Sequence, residues 1–129
     1  MKKYRWMFLI CSVLLACAIF VGSGFNPRED VYLKAYTVSE DGTQITMHVG
    51  VATSMGYTRG YRAKMGGFNQ YLTFYTAFGG FNSSIGARDT FVLEVDPLNC
   101  DEIYFYHGDG GYTLVLQKDP LTGQWRDPE

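Results

Sequence analysis

Two hydrophobic patterns divide the chain. From Trp6 to Gly22 it runs for 17 residues without a charge, behind the basic start "MKKYR". Beyond residue 25 no such run recurs. Short segments follow in which apolar and polar residues alternate, the period of a half-buried strand. "VYLKAYTV" (31–38), "QITMHVGV" (44–51), "YTRGYRAK" (57–64), "YLTFYTAF" (71–78), "TFVLEV" (90–95), "EIYFYH" (102–107) and "YTLVLQK" (112–118) are the predicted strands. A further short edge strand is expected around Trp125.

The alternation also predicts which side chains face the core. Ile45, Met47, Val49 and Val51 form one inward set; Leu72, Phe74 and Phe78 form a second. Phe91, Leu93 and Val95 form a third, and Ile103 and Phe105 a fourth. On the last strand Tyr112, Leu114 and Leu116 share a face. Turn signals separate the segments. Asp41-Gly42 predicts a hairpin with a primed turn, where glycine accepts a positive φ. "GDGG" closes the hairpin between 102–107 and 112–118, and "DPLNCD" (96–101) reads as a turn. The 79–89 stretch "GGFNSSIGARD" is a long loop for so small a domain, of the kind that crosses between sheets or carries function.

About seven strands and no helical period beyond residue 25 predict an all-β fold. The economical arrangement is an immunoglobulin-like antiparallel β-sandwich, similar in architecture only, since the disulfide and core Trp of antibody domains are missing. A partly open barrel is the alternative. The expected organisation is an N-terminal apolar segment, residues 1–25, acting as signal peptide or membrane anchor, followed by one domain over residues 26–129.

Composition supports this division. Ten Tyr, nine Phe and 15 Gly in 129 residues suit pleated surfaces joined by turns. The net charge is −2, but residues 26–129 hold eight Lys and Arg against 13 Asp and Glu, a balance of −5. Such a domain is a poor match for a phosphate backbone, so no nucleic-acid partner is expected. Arg59, Arg62 and Lys64 form its one basic cluster, read as a solvated strand edge.

The apolar segment predicts an address. Basic residues before it keep the N-terminus in the cytoplasm and place the domain outside. "LLAC" at 14–17 resembles the lipobox of bacterial prolipoproteins, with Leu14 and Ala16 before Cys17. The resemblance covers the first 17 residues. It implies that Cys17 carries a lipid on its thiol and becomes the new N-terminus. "AIFVG" then continues the apolar run, where a lipobox is ordinarily followed by a polar tether. Counted from Trp6 to Phe25 the run reaches 20 residues, about 30 Å as a helix, enough to span a bilayer uncleaved. Cleavage after Ala18, at a small-x-small triplet, is the third reading. Lipid-anchored, single-pass or secreted, the domain lies outside the cytoplasmic membrane.

Candidate chemistry is sparse. Cys100 and His107 lie about 23 Å apart along one extended strand, too far for a local thiol–imidazole pair. His48 and His107, with Asp109, lack metal-ligand spacing. Asp96, Asn99, Asp101 and Glu102 gather oxygen atoms, but Asp, Asn and Pro are also what a turn requires. No G-x-S-x-G or H-E-x-x-H occurs, and the glycine-rich turn is not followed by a helix. No catalytic residue and no cofactor is therefore expected. Six tyrosines, Tyr32, Tyr36, Tyr71, Tyr75, Tyr104 and Tyr106, fall opposite the apolar positions of their strands. Of these, Tyr71, Tyr75, Tyr104 and Tyr106 are the candidate ligand-binding residues, as aromatic platforms for an envelope protein or a glycan. The expected function is that of a membrane-tethered extracytoplasmic binding domain. The alternative is a metal-dependent or hydrolytic module using the acidic residues of 96–109 with His48 or His107.

Overall fold

A computed structural model describes residues 2–52, 56–79 and 83–128. One helix, α1 (Lys2–Ser23), precedes nine strands: β1 (Pro27–Arg28), β2 (Val31–Val38), β3 (Gln44–Val51), β4 (Thr58–Gly66), β5 (Asn69–Thr76), β6 (Thr90–Glu94), β7 (Glu102–Gly108), β8 (Gly111–Lys118) and β9 (Trp125–Arg126). The seven longer strands coincide with the predicted segments to within two residues at each end. Of the two short strands, β9 is the edge strand expected around Trp125, and β1 is an addition, only two residues long and too short for alternation to register.

The strands form two sheets. The larger runs β1-β5-β7-β8-β9, with β4 on the other edge of β5; the smaller runs β2-β3-β6. Every pair is antiparallel except β5 and β7, which are parallel in the register Asn69↔Glu102 to Leu72↔Phe105. This corrects the wholly antiparallel expectation. A parallel pair needs a crossover, and here the chain leaves the larger sheet after β5, runs through β6 in the smaller sheet, and returns as β7. The 79–89 loop makes the outward half of that crossing; its residues 80–82 lie outside those described.

The inner faces of both sheets share one core. Ile45, Met47, Val49, Phe91 and Leu93 come from the smaller sheet, and Leu72, Phe74, Ile103, Phe105 and Leu116 from the larger. Phe74 is central: its ring centroid lies 4.7 Å from that of Phe105 and 5.6 Å from that of Phe91. Side-chain hydrogen bonds also link the two sheets. Gln70 Nε2 donates to the Glu94 carbonyl (3.2 Å) and the Tyr61 hydroxyl to the Val92 carbonyl (3.1 Å). Both bonds tie the larger sheet to β6, and leaving the buried Gln70 amide unpaired would cost about 1–3 kcal/mol.

Bulges and turns account for the local departures from alternation. A register shift between Leu33 and Ala35 turns Tyr36 inward, against the core and opposite Met47, rather than outward as expected. Its hydroxyl donates to the Trp125 carbonyl (3.0 Å). A second shift, between Ile103↔Leu116 and Tyr104↔Leu114, leaves Val115 unpaired. Leu116 therefore stays in the core while Tyr112 and Leu114 pair with the outward Tyr106 and Tyr104, which corrects their shared inward face. The β7–β8 turn does use a primed geometry, with both Asp109 (φ 52) and Gly110 (φ 72) left-handed. The β2–β3 turn does not: only Gly42 (φ 73) is left-handed, and Ser39 and Gln44 close a four-residue connection. Asp41 accepts hydrogen bonds there from Ser39 Oγ, Thr43 N and Thr43 Oγ1.

α1 is apolar on all sides. Its segment Tyr4–Gly22 is long and apolar enough to cross a membrane, has a mean hydropathy of 2.1, and none of it is buried against the β-domain. A helix that exposes apolar residues all round suits lipid better than water. Its last turn meets the domain. The Phe20 and Phe78 rings stack at 5.9 Å with an interplanar angle of 11°, so Phe78 packs on the helix instead of joining Leu72 and Phe74 in the core.

Candidate functional site

β5, β7 and β8 build an aromatic surface on the outer face of the larger sheet. In β5, Leu72 and Phe74 point inward, so Tyr71, Thr73 and Tyr75 point outward. In β7, Ile103 and Phe105 point inward, so Tyr104 and Tyr106 point outward. The parallel register sets Tyr71 directly beside Tyr104, and the rings stack at 5.0 Å with an interplanar angle of 19°. Tyr112 completes the group. Its ring meets Tyr71 edge-on at 4.9 Å and Tyr106 at 5.8 Å. Offset and edge contacts of this kind are worth about 0.5–1.5 kcal/mol per pair beyond the area they bury.

Of the four tyrosines expected to form the surface, Tyr71, Tyr104 and Tyr106 are brought together. Tyr75 lies on the same face but stands with Arg62, whose guanidinium is 6.0 Å from its ring centroid. Tyr112 is the member that the alternation missed, because the bulge at Val115 changes the phase of β8 and no residue type announces it. Tyr32 is exposed on the smaller sheet, away from this group.

The four rings are half-buried to exposed, and neighbouring polar groups fix their edges. Asn69 Nδ2 donates to the Tyr71 hydroxyl at 3.4 Å. Desolvation, followed by the charge and hydrogen bond of Glu102, raises the Tyr104 phenol above its ordinary 10.0. The row is thus an amphipathic aromatic surface. It can stack against a sugar ring or an aromatic or aliphatic side chain and offer hydroxyls at the edge.

The other candidates are dispersed. Cys100 is fully buried in the core, and burial pushes its thiol pKa up, which disfavours the thiolate a nucleophile needs. His48 is exposed, with Nδ1 3.1 Å from Thr90 Oγ1. His107 is exposed beside the β7–β8 turn, its ring over Gly111. Asp96 serves its own turn, accepting from Leu98 N and Asn99 Nδ2; the Asn99 bond is the main reason its carboxyl sits below the usual range. Among the described residues no three His, Cys, Asp or Glu side chains gather as metal ligands. A shallow cleft of about 480 Å³ opens on the opposite side, bounded by Tyr32, Lys34, Tyr57, Arg88 and Asp89. Tyr32 and Lys34 fold closely over Gly50, where a Cβ would meet both side chains.

Arg59 departs most from its expected solvated position. Its Nε and one terminal nitrogen both donate to the Gly24 carbonyl, just past the end of α1. The guanidinium also lies 4.5 Å from the Phe78 ring centroid and 5.6 Å from that of Phe25. Carbonyls at a helix C-terminus lack intrahelical partners and attract cations. Cys17 is exposed on α1, one turn before Phe20.

Compared with family models, curated proteins and solved structures, the chain matches none.

Proposed function

We propose that this chain is a membrane-tethered binding module of a bacterial envelope, holding a protein or glycan partner on the Tyr71–Tyr104–Tyr106–Tyr112 row and catalysing no reaction. The observation that carries this reading is the row itself: four tyrosines from three strands in ring-to-ring contact on an outward face. Tyrosine supplies large contact area with few rotors, so little freedom is lost on binding. Two sheets packed on one core support an immunoglobulin-like sandwich in the broad sense, from which the parallel β5–β7 pair departs.

The tether is α1. Its length and hydropathy, with "MKKYR" before it, support an orientation with the domain outside the cytoplasm. "LLAC" supports a lipid on Cys17. Intact mass analysis of the mature protein separates the forms: a chain starting at Cys17 with added diacylglycerol marks a lipoprotein, and an unprocessed mass marks a single-pass helix.

The binding claim is tested with the full chain in nanodiscs, incubated with envelope extract and, separately, with purified cell-wall glycan. Wild type is expected to retain a partner that Tyr71→Ala and Tyr104→Ala lose. Retention of every partner by both variants would refute the aromatic platform.

A further inference from the structure

We propose that the β-domain edge formed by Phe25, Arg59, Phe78 and Ile85 is a membrane-contact surface that seats the domain in the lipid headgroup layer. This inference rests on reading α1 as a membrane anchor.

Depth is the first argument. The apolar segment ends at Gly22, and at 1.5 Å per residue Phe20 lies about 3 Å inside that end. Phe78 belongs to the β-domain, yet its ring stacks on Phe20, and the backbone N–H of Gly79 donates to the Phe20 carbonyl at 3.4 Å. Any bilayer that contains the last turn of α1 therefore reaches the level of Phe78. Ile85 pairs with Phe78 through an isolated bridge, which places Ile85 at the same edge.

Chemistry is the second argument. Phe25 and Ile85 are 56% and 52% exposed, large apolar side chains with no core to cover them. Water is a poor neighbour for such an edge, whereas the interface between headgroups and acyl chains accommodates aromatic rings and an Arg with a buried stem. Arg59 has this character, with its guanidinium over two rings and bonded to the Gly24 carbonyl.

The joint is also closely packed. A Cβ added at Gly24 would overlap the Phe78 ring, so the close approach of helix exit and domain requires glycine here for space.

Tryptophan quenching by brominated lipids tests this directly. The full chain, synthesised in vitro into phosphatidylcholine vesicles so that no processing removes residues, is compared in three single-Trp forms. Trp6 reports whether α1 enters the bilayer. Trp125 pairs with Lys118 at the far end of the larger sheet and serves as the distant control. Ile85→Trp, with Trp6→Phe and Trp125→Phe, reports the proposed contact. Lipid brominated near the headgroup is expected to quench Trp6 and the residue at 85, with blue-shifted emission at 85, and to leave Trp125 unquenched. Adding Arg59→Ala or Gly24→Val to the Ile85→Trp form is expected to lower the quenching at 85. Quenching of Trp6 without quenching at 85 would overturn the contact and leave the anchor standing. An unquenched Trp6 would overturn the anchor and the contact together. Quenching at 85 that both seat variants leave unchanged would show an affinity of the introduced Trp alone, and would also overturn the proposal.

Discussion

On its inner face the larger sheet carries Phe74 and Phe105, with ring centroids 4.7 Å apart and almost no exposure. On its outer face the same two strands carry Tyr71 and Tyr104, with centroids 5.0 Å apart and partial exposure. Strand alternation creates both faces from adjacent residues. What differs is the company. The inner rings are enclosed by the smaller sheet through Phe91, and removing one leaves a cavity. The outer rings are supported by each other and by the sheet beneath, and removing one leaves a surface that water can fill. Rings at similar separations, edge-on at 66° inside and stacked at 19° outside, therefore hold the fold together on one side and build an open surface on the other.

The largest expected effect breaks this comparison on the inner side. Phe74→Ala should destabilise the protein by about 3–5 kcal/mol, the usual cost of deleting an enclosed aromatic side chain. Tyr71→Ala should cost less, about 1–3 kcal/mol for its two lost ring pairs. Urea denaturation of the two variants measures the gap. Equal losses would mean that the outer row is structural in the same sense as the core.

Tyrosine ionisation sharpens the comparison next. Desolvation is the main cause of the raised phenol pKa of Tyr36, Tyr61 and Tyr104. A group whose folded pKa lies above its unfolded value contributes stability that is complete below the unfolded pKa and is lost as pH rises through the folded one. A share of stability should therefore fade as pH climbs past 10.0, the ordinary phenol value. Ultraviolet titration should show a late-ionising group that disappears in Tyr104→Phe.

The smallest effect lies in the turns. Hydrogen bonds lower the carboxyl pKa of Asp41, chiefly from the Thr43 side chain, and of Asp96, chiefly from the Asn99 side chain. Depressed values mean stability that is present above the ordinary carboxylate pKa and lost as pH falls through the folded one. Both carboxylates are exposed, so the slope should be shallow. Thermal melts of Asp41→Asn and Asp96→Asn across the acid range should each be flatter than wild type.

Much of this plan was legible from alternation. The strands over 31–38 and 44–51 are found where the pattern put them, and Ile45, Met47, Phe91, Leu93, Ile103 and Phe105 all enter the core. Alternation reports a local period, so it is blind to a residue inserted into that period. The bulges at Lys34 and Val115 reverse Tyr36 and Tyr112 for that reason. Pairing partners are also non-local, and the parallel β5–β7 register, which sets Tyr71 beside Tyr104, has no trace in either strand alone. Arg59 was misread on the same grounds: a charge in a strand looks solvated until the helix exit and Phe78 are brought to it.

The central claim is that the tyrosine row is where a partner sits. Its most direct test places a photo-crosslinking phenylalanine analogue at position 104 in the full chain, expressed in bacterial membranes. The same analogue at position 92 is the control, since Val92 is an outward, 51% exposed residue of β6 in the smaller sheet. The predicted result is a discrete crosslinked product from 104 that is missing from 92 and is lost when Tyr71→Ala is added. No product from 104, or the same product from both positions, would contradict it.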